Sequence, residues 1–269
     1  MPAMFLAHTF GNLLEKDFVV VHWDRLGAGK SFRPDIPPSA MCVTRELSDT
    51  AELIDRLRSR FGQDKIVLVG HSYGSYLGML AVSRFPEKIA AYVGVGQVAA
   101  SEGREHEIQD RWLRSQALAE KNEELLSTIG TSRFDREQWL FHYGGELARG
   151  TSIWPLLRAG LTSPEYAFQD ALVVKRGVNF THRHMRYDAI GGELMDLVTT
   201  VGIPIFFFAG RRDYTAPFEL TQEYFRRLDA PHKELVWFED SAHFPFFEEP
   251  ERFGAEMRRV KGFVRPYGG

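Results

Sequence analysis

Several things are scarce in this sequence, and each scarcity excludes something. Cysteine occurs once, at Cys42, so no disulfide can form within the chain and no cysteine pair can hold a metal. That suits a reducing compartment, and a cytoplasmic location is expected. No apolar run approaches the roughly 18 residues of a membrane span, so no membrane partner is expected. Charge of one sign is concentrated nowhere: 33 basic and 36 acidic side chains are interspersed, for a formal charge of −3. Without a basic block there is no footprint for nucleic acid, and without an acidic tail no disordered partner segment. The opening MPAMFLAHTFG has no basic stretch and no cleavage site, so it does not read as a signal peptide. Repeats and low-complexity tracts are absent too. What remains is a chain of 269 residues, 44% hydrophobic, with 24 Gly and 13 Pro. That is enough for one large globular domain, or one domain with a sizeable insertion.

Hydrophobic periodicity alternates between two kinds along most of the chain. Residues 17–23, DFVVVHW, read as a short buried strand. Residues 44–61 then place Leu47, Ala51, Ile54, Leu57 and Phe61 at helical spacing, with Gly62 to stop the helix. A strand at 65–69, a helix at 75–85 halted by Pro86, and a strand at 89–95 follow. The rhythm resumes with strands at 203–209 and 234–238 and a helix at 250–263. Strands alternating with helices predict an α/β fold with a parallel sheet flanked by helices. Between about 99 and 198 no comparable strand appears, only polar helical stretches carrying Trp112, Trp139 and Trp154. The expected organisation is therefore a catalytic part formed by 1–98 and 199–269, with 99–198 as a helical insertion.

Gly27 to Ser31, GAGKS, raises a nucleotide question, because it matches the end of a phosphate-binding loop. The first glycine of such a loop would fall at position 24, which is Asp24. A carboxylate there would face phosphates instead of offering them an N–H. Pro34, Pro37 and Pro38 also prevent a helix N-terminus from following. The expected role is a tight strand-end turn, with no nucleotide and no other cofactor.

The chemistry points to Gly70-His71-Ser72-Tyr73-Gly74, a G-x-S-x-G pentapeptide with a strand before it and a helix after it. Such a turn forces strained backbone angles on Ser72, calls for small residues at 70 and 74, and lifts the hydroxyl off the sheet edge. The backbone N–H of Tyr73, at a helix start, would face a developing oxyanion. A serine nucleophile needs a base, and the base an orienting acid. Asp213 is the first carboxylate beyond the 203–209 strand, and His243 follows the 234–238 strand. Of nine histidines, His243 alone sits on a loop after a late strand. The alternative position for the acid, after the third strand, reads Gly96-Gln97 and has no carboxylate. His182 and His184 alternate in THRHMR, but nothing at ligand spacing completes a metal site, so no metal is expected. Glu248-Glu249-Pro250-Glu251 reads as a structural helix start with acids on the positive end of the dipole.

These stretches together resemble the α/β-hydrolase fold and, more narrowly, the proline-iminopeptidase-like peptidases. HWDRLGAGKS is similar to that family's D-Q-R-G-x-G-x-S turn, with Leu26 in place of the usual arginine. GHSYGS, GRRDYTAP and SAHFPFFEEPERF match its nucleophile, acid and histidine segments. The resemblance implies a serine hydrolase that cleaves an ester or amide through an acyl-enzyme: Ser72 attacks, His243 moves the proton, and Asp213 orients His243. It implies a small-molecule or short-peptide substrate, bound between the helical insertion, the family's cap, and the sheet, beside Tyr73 and cap aromatics. Two departures matter. Aminopeptidase members carry Trp after the serine and a Trp-Glu pair that binds the substrate's free amine; here the first is Tyr73 and no Trp-Glu occurs. Glu146 and Glu193, each after a Gly-Gly pair, are candidate replacements within the insertion. Members also carry a strand ending in H-G-G-P-G ahead of the DFVVVHW strand, which supplies a second oxyanion donor. Its absence here leads to the expectation of an N-terminally incomplete chain, poorly soluble or weakly active, rescued by upstream codons. The alternatives are a general carboxylesterase or amidase of the same fold, and a catalytically idle binding protein. The serine argues against the aspartate-nucleophile epoxide hydrolases and dehalogenases of this fold. Oligomeric state is not specified by any of these features.

Overall fold

The computed structural model describes residues 13–149, 168–186 and 193–264, with 152, 154 and 158. Four of the five expected strands form: β1 (Ile66–His71), β2 (Ile89–Val95), β3 (Ile205–Gly210) and β4 (Lys233–Phe238). They pair in chain order, every pair parallel. Parallel neighbours need a crossover between them, and the helices supply it. α1 (Val43–Phe61) buries Val43, Leu47 and Ile54 on one stripe and ends at Gly62, whose left-handed φ of 60° suits glycine. α2 (Tyr73–Arg84) follows β1 directly and stops before Pro86. α8 (Phe218–Arg227) joins β3 to β4, and α10 (Pro250–Phe263) closes the described fold.

The strand residues divide between the faces with the two-residue period of a pleated sheet. Tyr92, Ile205 and Phe207 join Leu47, Ile54, Leu77 and Tyr224 in one buried cluster. Ala91, Val93, Val95, Phe206 and Phe208 join Phe238, Phe253 and Met257 in another. Because both faces are covered, the strands read as nearly continuous apolar runs.

Between β2 and β3 the described residues form helices and no paired strand. They are α3 (Glu102–Glu120), α4 (Glu123–Thr128), α5 (Arg136–Tyr143), α6 (Phe168–His184) and α7 (Leu194–Leu197). Leu113, Ala117, Leu125, Leu140 and Tyr143 give the first three a small core of their own. Among the described residues no helix is long and apolar enough to cross a membrane.

The fifth expected strand does not form. Residues 19–25 are irregular, and Val19 and Val21 are 70% and 45% exposed. β-branched residues favour extended backbone, but a strand also needs a neighbour to take up its N–H and C=O groups. Among the described residues the sheet ends at β1, and residues 17–23 do not pair with it. Phe18 and Trp23 still pack against the core clusters, so the apolar character of the run is used without a ladder. The expectation about an upstream oxyanion donor concerns residues outside those described.

Candidate active site

Three loops meet at the carboxyl ends of the parallel strands, where open α/β sheets place their sites. Ser72 follows β1, Asp213 follows β3 and His243 follows β4. Ser72 has φ 55° and ψ −128°, a conformation that a residue with a Cβ adopts only at a cost. A Cβ at Gly70 would lie 2.4 Å from the Gly74 carbonyl oxygen, so glycine is required there. At Gly74 an added Cβ meets nothing within 4 Å. Space alone therefore calls for glycine at 70 and not at 74.

Hydrogen bonds hold this turn. The Ser72 N–H donates to the Val95 carbonyl at 3.0 Å, and the Ser75 N–H to the Ser72 carbonyl at 2.7 Å. The Ser75 hydroxyl also donates to the Ser72 carbonyl, at 2.6 Å, and accepts from the Val98 N–H at 2.9 Å. The buried Tyr92 hydroxyl donates to the Ser75 carbonyl at 2.9 Å. Ser75 and Tyr92 are site-supporting residues that the sequence reading missed. A serine one turn into the helix was the available signal.

Asp213 and His243, 30 residues apart in sequence, are brought together: His243 Nδ1 lies 2.8 Å from Asp213 Oδ2, and both side chains are buried. A carboxylate only accepts, so Nδ1 carries the hydrogen. Asp213 Oδ1 accepts from the Ala216 N–H at 2.9 Å, which fixes the carboxylate plane. His243 Nε2 is left as a buried acceptor with no hydrogen-bond partner, Ser72 included. Burial lowers the His243 pKa, but the charge and hydrogen bond of Asp213, then Glu146 and Glu248, outweigh it and raise it above its ordinary value. Gly96, noted only for lacking a carboxylate, leaves room for the imidazole. Its φ is 53°, and a Cβ there would approach His243 Nδ1 to 2.7 Å.

His71 was passed over as the variable residue of the pentapeptide. Its Nε2 lies 2.9 Å from the His243 carbonyl oxygen, so Nε2 carries the hydrogen. Its ring centroid is 4.7 Å from that of His243, with Phe244 and Phe246 around it. Burial, and then the charge of His243, hold it well below the ordinary histidine range. Tyr73 starts α2, as expected, and its phenol joins a polar cluster. The hydroxyl donates to buried Glu46 at 2.7 Å, and the ring lies 4.4 Å from the guanidinium of Arg25, itself paired with Glu46. Arg25 stands in HWDRLGAGKS, and the same stretch carries a carboxylate bound by its own loop. Asp24 Oδ2 accepts the Lys30 N–H at 3.0 Å. A Cβ at Gly29, which has φ 47°, would lie 2.0 Å from that oxygen. The loop wraps around its own carboxylate.

The carboxylates proposed from sequence part company. Glu193 is bound by the Ser101 hydroxyl at 2.7 Å and by Arg104 at 3.0 Å. The backbone carbonyl of Glu146 accepts the His243 N–H at 3.0 Å. Burial raises the Glu146 carboxyl pKa against the pull of His243. Glu105, which no motif marked, is pushed up to about 8 by burial and then by the like charges of Asp213 and Glu102. One turn further along α3, Gln109 donates to the carbonyls of Tyr214 and Thr215 at 2.9 and 3.1 Å, so this face of α3 lies on the acid loop. Glu248 is no helix-dipole acid: it ends α9 (Pro245–Glu248) and accepts backbone N–H groups around His243. His182 and His184 close α6, and among the described residues no group of three or more His, Cys, Asp or Glu could hold a metal.

The model of the alpha/beta hydrolase fold matches residues 4–250, and the chain belongs to that family. It is 28% identical over 259 residues to the probable aminopeptidase YbaC of Bacillus subtilis (strain 168), covering 91% of this chain and 80% of that protein. It is also 28% identical over 241 residues to methylesterase 3 of Arabidopsis thaliana, covering 84% and 83%. A proline iminopeptidase of Mycobacterium smegmatis shares the fold with TM-score 0.70 at 18% identity, covering 98% of this chain and 86% of its own. The chain is thus a hydrolase-fold protein, proline-iminopeptidase-like in its motifs, with relatives named both as peptidase and as esterase.

Proposed function

We propose that the protein is a serine hydrolase acting on small amides or esters, with an aminopeptidase-like preference for a free α-amine. The observation that carries this reading is the buried Nε2 of His243. Its ring is oriented through Nδ1 by Asp213 and its acceptor has no hydrogen-bond partner, while Ser72 is held at φ 55° on the turn after β1. A buried acceptor without a partner costs free energy unless the site uses it. Here the use is to accept a proton.

In the reaction, Ser72 Oγ adds to the substrate carbonyl as its proton passes to His243 Nε2. Asp213 stabilises the resulting imidazolium. The tetrahedral oxyanion takes a hydrogen bond from the Tyr73 N–H at the positive end of α2. Collapse expels the amine or alcohol, which takes the proton from Nε2 and leaves an acyl-Ser72 ester. Water, deprotonated by the same nitrogen, returns Ser72 and releases the acid. The described helices between β2 and β3 act as the cap over this site. Glu105 and Glu146 reach the Asp213–His243 pair electrostatically from that insertion. A substrate ammonium seated there would gain the carboxylate partners that burial demands. They stand in for the missing Trp-Glu pair.

The test is labelling with a fluorophosphonate, together with turnover of a p-nitrophenyl ester, prolyl-naphthylamide and N-acetylprolyl-naphthylamide. Label should fall on Ser72, and Ser72→Ala should lose on the order of 10⁴-fold or more in kcat. The free amine should be preferred over its acetylated form. Equal rates on both would leave a general esterase or amidase, and no labelling would sink the hydrolase reading.

A further inference from the structure

Three consecutive backbone N–H groups carry the His243 loop, and each finds an acceptor that the triad itself does not provide. The N–H groups of Ala242 and Phe244 donate to Glu248 Oε2 at 2.9 and 3.2 Å. The N–H of His243, between them, donates to the Glu146 carbonyl at 3.0 Å. The two anchors are joined, because Glu248 Oε1 accepts the Ala148 N–H at 2.7 Å. The same stretch reaches the acid loop, where the Gly145 carbonyl accepts the N–H groups of Tyr214 and Thr215 at 2.8 and 3.3 Å. Residues 145–148 are thus a strap laid across both loops, and Glu248 is its buckle.

We infer that Glu248 is a positioning residue for His243: through its two oxygens it holds the histidine loop and the 145–148 strap in one arrangement, and its negative charge favours the imidazolium. The inference rests on the reading of His243 as the general base. Both oxygens accept N–H groups, so the ionised carboxylate is the form this geometry requires. Charge-assisted bonds of this kind are stronger than neutral ones. Burial raises the Glu248 carboxyl pKa, and the donors at 148, 242 and 244 work against that rise. The charged and titratable groups facing His243 are Asp213 from the acid loop, Glu146 from the strap, Glu248 from α9 and His71 from the end of β1. Removing one of the three carboxylates lowers the His243 pKa. A base that must be neutral then stays active to lower pH. A glutamine at 248 has one acceptor oxygen, and its amide would face an N–H group it cannot receive. An aspartate keeps the charge but falls one methylene short of the loop.

The experiment compares wild type, Glu248→Gln, Glu248→Asp and the neighbouring Glu249→Gln on one p-nitrophenyl ester, with Tm for each. Glu248→Gln should lose roughly 10- to 100-fold in kcat at nearly constant KM, and the acid limb of kcat/KM should move to lower pH. Glu248→Asp should lose kcat with its limb in place, and Glu249→Gln should leave the limb unmoved. A limb at the wild-type position in Glu248→Gln, or wild-type kcat in both Glu248 variants, overturns the inference. Should Glu248→Gln fail to fold, Glu248→Asp decides. A reduced kcat at native Tm and KM upholds the inference; wild-type kcat, or activity lost only in step with Tm, overturns it. A wild type that neither turns over the ester nor takes a fluorophosphonate would instead defeat the hydrolase reading itself.

Discussion

Glu105 is held where its charge is least welcome, half-buried on α3 with Asp213 nearby. Its carboxyl is raised from 4.5 to about 8. A folded-state value above the unfolded one means that folding takes up a proton, so this group's contribution to stability falls as pH rises from about 4.5 to about 8. Residues that cost stability in this way concentrate at functional sites. Glu105→Gln should therefore raise Tm at pH 8 by more than at pH 5. The same change should raise KM for prolyl-naphthylamide and leave the p-nitrophenyl ester unaffected. A thermal melt at each pH and two substrate titrations check both halves. No change in Tm at pH 8 would mean that Glu105 is better solvated than its surroundings suggest.

At the scale of elements, the β1-turn-α2 unit makes the site possible, and its two glycines have unlike jobs. Gly70 lies against the Gly74 carbonyl, whereas Gly74 opens onto free space near the start of a helix. Gly70→Ala should destabilise by about 1–3 kcal/mol, the usual range for overpacking. Gly74→Ala should be neutral or gain up to about 1 kcal/mol from helix propensity. Urea denaturation of the two variants separates them, and equal losses would contradict the geometry. The same unit shows what motif reading reaches. The pentapeptide announces Ser72, but the Ser75–Tyr92–Val98 bracing depends on β2 lying beside β1, which no local pattern states.

In the sheet formed by the described residues, the two outer strands are differently protected. β4 carries Lys233 and Glu234, and Glu234 takes two bonds from Arg259 at 2.6 and 2.7 Å. β1, at the other edge, carries Val69 at 45% exposure. An apolar outer strand invites pairing with another chain, and a lysine there discourages it. The protein should self-associate as concentration rises, and Val69→Lys should shift it towards monomer without changing kcat. Sedimentation velocity at several concentrations tests this, and a concentration-independent monomer in the unmodified protein would refute it.

Much of the architecture was legible in the sequence because it is written in local terms. Buried parallel strands need apolar runs, amphipathic helices need helical spacing, and the elbow needs Gly70 before a strained Ser72. Asp213 and His243 could be picked out because each follows a strand end, and the fold sets them 2.8 Å apart. The DFVVVHW run misled, because strand propensity belongs to a residue while a strand belongs to a pair. Glu105, Glu146, Glu248, His71 and Gly96 owe their importance to what the folded chain sets beside them. Burial, a neighbour's charge and a backbone N–H supplied from a hundred residues away are properties of a packed structure. Residue types and local spacing determined which groups could react; only tertiary packing decided which carboxylates would surround His243, and in what geometry.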